Sequence, residues 1–277
     1  MSLIVSRSRL SSLLLVGVAL CGHFAYAAPP DILGVTMGMS AADAYNAVKA
    51  VDVTHRVTVG QVAIPELLGN KTAVFKMQPE TGDTANAFYV NLTLPPNPQV
   101  VWQVYHQIGP MHVTRDQALT SLLSKYGSTF RARAPCTPTS GVCTFRWIYD
   151  EQGNLSAMPF SQEAICTQTI NIMDTLGVPA VGNVSGEAVY RSAQADVQLR
   201  PISPAYDPAR LPQCQHLVWV EAQLQGVDLT WTIMVTITDY DLQHRGGIAL
   251  YQFFNGLATK QQNQNVNQAE HTAVPKL

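Results

Sequence analysis

The sequence predicts an α+β fold in which short helices pack on antiparallel sheets, open to a division into two related α/β subdomains. Three observations carry that expectation. Two short amphipathic stretches open on helix-capping residues, Ser40 and Thr114, and each is followed by runs rich in β-branched and aromatic residues. Apolar residues recur at helical spacing in the first kind of stretch and alternate in the second, so the two periodicities separate cleanly. Charged residues make up only 13% of the 277-residue chain, against a typical ~25%, and Gln, Asn, Thr and Ser take their place on the expected surface.

Residues 1–27 read as an export signal. Arg7 and Arg9 supply the positive end, Leu10 to Leu20 an apolar segment too short to span a bilayer, and Ala25-Tyr26-Ala27 the small-x-small pattern for cleavage after Ala27. Lipidation at Cys21 is disfavoured, because the residue before it is Leu20 rather than a small one. Cleavage removes two arginines and no acids, which takes the net charge from −2 to −4. A mildly acidic chain with no basic run excludes nucleic acid as the expected partner. No later segment is long and apolar enough to form an integral membrane span.

Along the mature chain, Gly38 makes a turn, Ser40 caps a helix with Asp43 completing a capping box, and Ala44, Tyr45, Val48 and Val51 form its apolar face. Strands are expected over 56–62, 73–77, 87–94 and 100–108, with Pro95-Pro96-Asn97-Pro98 breaking the third from the fourth. Thr114, Gln117, Ala118 and Leu122 then repeat the positions of Ser40, Asp43, Ala44 and Val48, and Gly127 stops the second helix, which hints at an internal repeat. A strand over 143–149 places Phe145, Trp147 and Tyr149 on one side. Residues 161–177 suit a helix or a strand, with helix favoured, and 200–214 form a proline-rich loop. A hairpin over 217–224 and 227–238 turns at Gly226, with Leu229, Trp231, Ile233, Val235 and Ile237 on its buried side. Asp239 caps a helix through roughly Lys260, and the polar end from 263 to 277 is expected to be disordered. The expected domain organisation is thus a signal at 1–27, subdomains at 28–157 and 158–262, and a tail.

Removing Cys21 with the signal leaves Cys136, Cys143, Cys166 and Cys214, an even number that reads as two disulfides in an exported chain. Cys136 and Cys143 flank the turn-rich TPTSGV and pair first; Cys166 with Cys214 follows by elimination. The alternative for Cys214 and His216, a zinc site, lacks any CxxC or HxxxH spacing.

The motif search yields no catalytic constellation and no cofactor site. Gly182 to Gly186 has the wrong spacing for a nucleophile elbow, and P-loop, dinucleotide and HExxH patterns do not occur. His106, His112 and Asp116 could form an acid–base set, but a strand end, a turn and a helix N-terminus explain them equally well. Asp239 and Asp241 are too few oxygens for calcium, so no metal is expected. Trp231 belongs to the expected core. Trp219 alternates with Val218 and Val220 and so points the other way beside Glu221 and Gln223, a candidate binding surface unless the rest of the chain covers it.

Gly38-Met39-Ser40 with its helix, and Lys125-Tyr126-Gly127 followed by Phe145 to Tyr149, resemble the small α+β module of outer-membrane assembly lipoproteins of the SmpA/OmlA (BamE-like) type. The whole chain also resembles a group of proteobacterial exported proteins with this opening and a cysteine-linked C-terminal hairpin and helix. That resemblance implies a periplasmic protein of a Gram-negative bacterium acting by contact, its partner another envelope protein or a small ligand. The leading expectation is therefore a non-catalytic binding or envelope-associated module. A periplasmic hydrolase or metal-dependent enzyme, and a secreted inhibitor or host-interaction protein, are the alternatives.

Overall fold

A computed structural model describes residues 29–51, 54–80, 84–132, 136–137, 139–156, 158, 163, 166–167, 214–227 and 229–271. The expected signal, most of the ambiguous segment 161–177, the loop 200–213 and residues 272–277 lie outside the described residues.

The chain enters through a small hairpin, β1 (Asp31–Ile32) and β2 (Val35–Thr36), and turns at Gly38 (φ 77°) into α1 (Ala41–Val51). As the sequence implies, the Asp43 amide donates to Ser40 Oγ (3.2 Å), and Ala44 and Val48 are the buried residues of α1. A four-strand antiparallel meander follows: β3 (Val57–Ala63), β4 (Thr72–Pro79), β5 (Phe88–Leu92) and β6 (Val101–Ile108), with a short helix α2 (Pro65–Leu68) in the first connection. The same order then recurs. A short strand β7 (Val113–Thr114) leads into α3 (Arg115–Tyr126), then into β8 (Arg131–Ala132), β9 (Val142–Tyr149), β10 (Val218–Gln225), β11 (Leu229–Thr230) and β12 (Thr232–Asp239). The capping box of α3 is complete, with Thr114 N donating to Gln117 Oε1 (3.0 Å) and Gln117 N to Thr114 Oγ1 (3.2 Å).

The two meanders form one eight-stranded antiparallel sheet, ordered β3-β4-β5-β6-β12-β10-β9-β8. They meet where β6 pairs with β12, from Gln103↔Thr238 to Ile108↔Ile233. In both halves the residue capping the helix is bridged to the chain entering that half's last strand, Ser40 to Val100 and Thr114 to Leu229. The repeat hinted at by the two helix starts thus extends to topology. β9 and β10 fall on opposite sides of the expected 157/158 division and pair along their whole length.

One face of the sheet carries the main core. Val90, Val104, Ile237, Val220 and Ala222 are buried there, together with Phe145 and Trp147, and α1 and α3 contribute Val48 and Leu122. The polar tips of the buried aromatics find partners: Trp147 Nε1 donates to the Gly127 carbonyl (2.8 Å) and the Tyr149 hydroxyl to the Tyr126 carbonyl (2.5 Å). Burial pushes the Tyr149 phenol up to about 12.

Trp231 departs from the expected core placement and is 55% exposed. The ladder breaks between β11 and β12, where Trp231 N donates to the Gln225 carbonyl (2.7 Å) and the Trp231 carbonyl accepts from Met111 N (2.8 Å). Alternation restarts at that break, so Thr230 is buried while Leu229 and Trp231 are exposed. Gly226 is required here. Its φ is 131°, and a Cβ would lie 1.8 Å from the Leu229 carbonyl oxygen.

The last helix, α4 (Tyr240–His271), starts where expected, with Leu242 N donating to Asp239 Oδ1 (2.9 Å), but continues past 263. Its first half is anchored: Arg245 O accepts from Asn97 Nδ2 (3.2 Å), and Leu250 and Phe254 pack with Val62, Ile64, Ala73 and Leu94. Helix propagation is far easier than nucleation, so the anchored turns extend into a polar sequence with little to bury. Thr259 to Gln268 are accordingly helical and exposed. No described helix is long and apolar enough to cross a membrane.

Both expected disulfides are present, Cys136–Cys143 and Cys166–Cys214, with sequence separations of 7 and 48. Chain-entropy arguments give roughly 2.5 kcal/mol for closing the short loop and roughly 4 kcal/mol for the long one. Replacing Cys166 and Cys214 by alanine should therefore lower the unfolding free energy in urea by about 4 kcal/mol, more than the Cys136/Cys143 pair replacement. Thiol titration of the denatured, unreduced mature chain should find no free sulfhydryl.

Candidate functional site

The face of the sheet opposite α1 and α3 is polar across its middle and closed over at two corners. At one corner α4 covers Val62 and Ala73. At the other, Trp219 and Ile148 pack with Met158, Leu217 and the Cys166–Cys214 pair. Strand alternation sends Tyr89, Tyr105, Thr236, Glu221 and Arg146 to this face as one row of directly opposed neighbours. The same alternation makes a second row of Lys76, Asn91, Gln103, Thr238 and Trp219, and a third of Gln107, Met234, Gln223 and Thr144.

These rows are knitted by side-chain bonds. Tyr89 and Tyr105 stack at 4.6 Å between ring centroids, Lys76 Nζ lies 4.3 Å above the Tyr89 ring, and the Tyr105 hydroxyl donates to Gln107 Oε1 (2.7 Å). Asn91 Nδ2 donates to Gln103 Oε1 (2.7 Å), and Gln103 Nε2 to Thr238 Oγ1 (3.3 Å). Burial lowers the Lys76 ammonium and raises both phenols, that of Tyr89 further through its contact with Tyr105. The centre of the face is thus a half-buried platform of aromatic rings, amides and hydroxyls with few full charges.

An ion-pair cluster holds the closed corner. Arg146 donates to Glu221 Oε2 (2.6 Å) and to Glu163 Oε2 (3.1 Å), while Arg131 donates to Glu163 Oε1 (2.6 Å). Burial pulls the Arg146 guanidinium down, but its bonds to Glu221 and Glu163 and their charges more than reverse this and raise it. The guanidinium also sits 5.6 Å from the Trp219 ring centroid. Trp219, a candidate surface residue unless the rest of the chain covered it, is so covered: it is 3% exposed beneath Tyr240 and the disulfide-linked corner. Its Nε1 has no hydrogen-bond partner among the described residues. Glu221 and Gln223 remain half-buried on the face, with Gln223 Nε2 donating to Glu221 Oε1 (3.2 Å).

At the opposite end of the strands the surface turns apolar and exposed. Val142 (51%), Val227 (48%), Leu229 (38%) and Trp231 (55%) lie around the β10–β11 turn, with His112 edge-on to Trp231 at 5.5 Å. Arg115 pins this corner from beneath, donating to the Thr137 and Ser140 carbonyls (both 2.6 Å) and to the Val227 carbonyl (3.2 Å). Sequence reading missed this group because it placed Leu229 and Trp231 on the buried side. Gly226 was the available signal, since a glycine with a close backbone neighbour marks a break in strand alternation.

The remaining candidates disperse. His106 lies within β6 edge-on to Phe88 (5.7 Å), where burial and then the Lys125 charge lower its imidazole pKa. His112 stands against Trp231, and Asp116 is exposed in the first turn of α3. Asp239 caps α4, and Asp241 binds Arg245 Nη2 (2.7 Å). No group of three or more His, Cys, Asp or Glu among the described residues is placed to hold a metal ion.

No protein-family model matches this chain, and no curated protein or solved structure matches it either.

Two outcomes follow from the site's charges. Arg146→Met leaves Glu221 unpaired and the buried Glu163 with Arg131 alone, so urea denaturation should show a loss of about 3 kcal/mol. Burial, followed by the charge of Asp241, raises the Asp239 carboxyl from 3.8 to about 6, against the pull of the Leu242 amide and His216. A raised folded pKa means stability that is full below pH 3.8 and lost as pH climbs through about 6. Asp239→Asn keeps a capping side chain and removes that dependence. Its stability should vary less between pH 4 and 7 than wild type and exceed it at pH 7 by roughly 1–2 kcal/mol.

Proposed function

We propose that this protein is a non-catalytic binding module of the Gram-negative periplasm that recognises another envelope protein through the polar sheet face and the Trp231 corner. The observation that carries this reading is Trp231, 55% exposed yet fixed at both its backbone N–H and its carbonyl. A large exposed aromatic side chain on a hydrogen-bonded backbone is the kind of anchor that dominates protein interfaces, and clustered exposed apolar residues beside a polar rim mark such surfaces. The half-buried platform of Tyr105, Gln107, Met234 and Gln223 extends the contact area beyond what four apolar side chains supply. Two disulfides support an oxidising compartment. The resemblance of both helix starts to the SmpA/OmlA-type module supports action by contact in the envelope.

A photocrosslinking side chain placed at Gln107 or Thr144 should trap one discrete protein adduct in intact cells, whereas the same group at Lys49 on α1 should not. Trp231→Ala should weaken binding of the trapped partner at least ~30-fold with little change in melting temperature, because the side chain is exposed. Adducts formed only from Lys49, or unchanged affinity in Trp231→Ala, would remove the reading. Adducts absent from every position, with a small molecule co-purifying instead, would put a ligand in place of the protein partner.

A further inference from the structure

The Trp231 corner is tied to a disulfide through one side chain. Arg115 opens α3, and its guanidinium donates to carbonyls of two separate segments. Nη1 reaches the Thr137 carbonyl (2.6 Å) and Nη2 the Ser140 carbonyl (2.6 Å), both between Cys136 and Cys143, which are disulfide-bonded. Nη2 also reaches the Gly226 and Val227 carbonyls (2.5 and 3.2 Å) in the β10–β11 turn. A backbone bond runs the same way, with Gly226 N donating to the Gly141 carbonyl (2.9 Å). The turn held in this manner is the one that orients Trp231, whose N–H donates to the Gln225 carbonyl (2.7 Å). Closing the chain between Cys136 and Cys143 therefore positions the carbonyls that, through Arg115 and Gly226, position Trp231.

The two cysteines of this pair are unlike. Cys143 is 1% exposed and belongs to the main core, whereas Cys136 is half-buried at the core's margin. Arg115 Nη1 lies 3.7 Å from Cys136 Sγ. A guanidinium beside a sulfur favours its thiolate, and a stabilised reduced form makes a disulfide easier to open. In the other pair both cysteines are withdrawn from water, Cys166 at 1% and Cys214 at 2% exposure.

We infer that the Cys136–Cys143 pair is a redox switch for the Trp231 surface: the disulfide form presents that corner in order, and exchange with a dithiol releases it. This rests on the binding reading above and names its regulation. One thiol of the dithiol, as thiolate, attacks Cys136 Sγ; the S–S bond breaks, and Cys143 leaves with the electron pair and takes up a proton. The second thiol then attacks the mixed disulfide and displaces Cys136 as a thiolate beside Arg115. Two electrons pass from the dithiol, which becomes a disulfide, to the cysteine pair. Of its two protons one ends on Cys143 and one is released to solvent. The reductant is a dithiol protein of the same compartment, or dithiothreitol in the tube.

Dithiothreitol titration of the folded mature chain, quenched by alkylation and read by mass spectrometry, should open Cys136–Cys143 at a concentration ~10-fold or more below that for Cys166–Cys214. With only the first pair open, the Trp231 and Met111 amides should exchange with deuterium at least ~10-fold faster, while those of Val104 and Ile237 at the sheet centre keep their protection. Replacing both residues, Cys136→Ser with Cys143→Ser, should give the same exchange pattern without reductant. Arg115→Met should give it with the disulfide intact, which shows that the coupling runs through the guanidinium. The photocrosslinking group at Gln107 should then form its adduct from the disulfide form and lose most of it from the opened form. Opening of Cys166–Cys214 first, or Trp231 and Met111 amides that stay protected once Cys136–Cys143 is open, overturns the switch and leaves the binding reading in place. Equal adduct from both forms does the same. Amides released as expected, with no adduct from either form, remove the binding reading and uphold the redox control of the Trp231 turn.

Discussion

The pairing of β6 with β12 is the contact on which the rest of the molecule depends. It joins Gln103–Ile108 to Ile233–Thr238, segments more than a hundred residues apart, and converts two four-strand meanders into one sheet. Without it each half would end in a long unpaired edge strand, β6 or β12, open to adventitious pairing. With it Val104 meets Ile237 beneath the helices, and Tyr105 meets Thr236 on the opposite face. The core and the proposed recognition surface are therefore two sides of one set of backbone hydrogen bonds, and neither can form alone.

The polar face is kept available by what covers its corners. A sheet this wide with an apolar second face would need a complete second layer. Here the layer is partial: α4 takes one corner through Leu250 and Phe254, and the Cys166–Cys214 region takes the other through Met158 and Leu217. Arg146 ties the second corner to the platform, since one guanidinium binds Glu221 on the sheet and Glu163 beside Cys166. Removing Arg146 leaves Glu221 without its ion pair and the buried Glu163 with Arg131 alone, so the corner and the platform are energetically coupled through that one side chain. Between the corners, side-chain bonds among Asn91, Gln103, Tyr105 and Gln107 satisfy the polar groups without hiding them.

Much of the architecture was legible in the chain because its determinants are local. Ser40 and Thr114 signal helix starts by chemistry confined to four residues, and the alternation of Phe145, Trp147 and Tyr149 declares a strand by itself. The cysteine pairing followed from spacing and count. Of the two tryptophans of the C-terminal hairpin, Trp231 was placed on the wrong side, while the coverage of Trp219 was left to the rest of the chain. Alternation says which side of a strand a residue takes, but not what covers that side or where the ladder is interrupted. Tyr240 and Arg146 cover Trp219, while the break before β12 and the bond from Met111 N turn Trp231 out to solvent.

The sequence by itself determined the α+β class, the positions of most strands and helices, and both disulfides, since each depends on neighbours along the chain or on counting. Tertiary contacts alone join the halves through β6 and β12, carry a continuous sheet across the boundary expected near 157, and turn Trp231 out to solvent. Those outcomes rest on pairings between distant segments, whose free energy depends on register and coverage that no local pattern encodes.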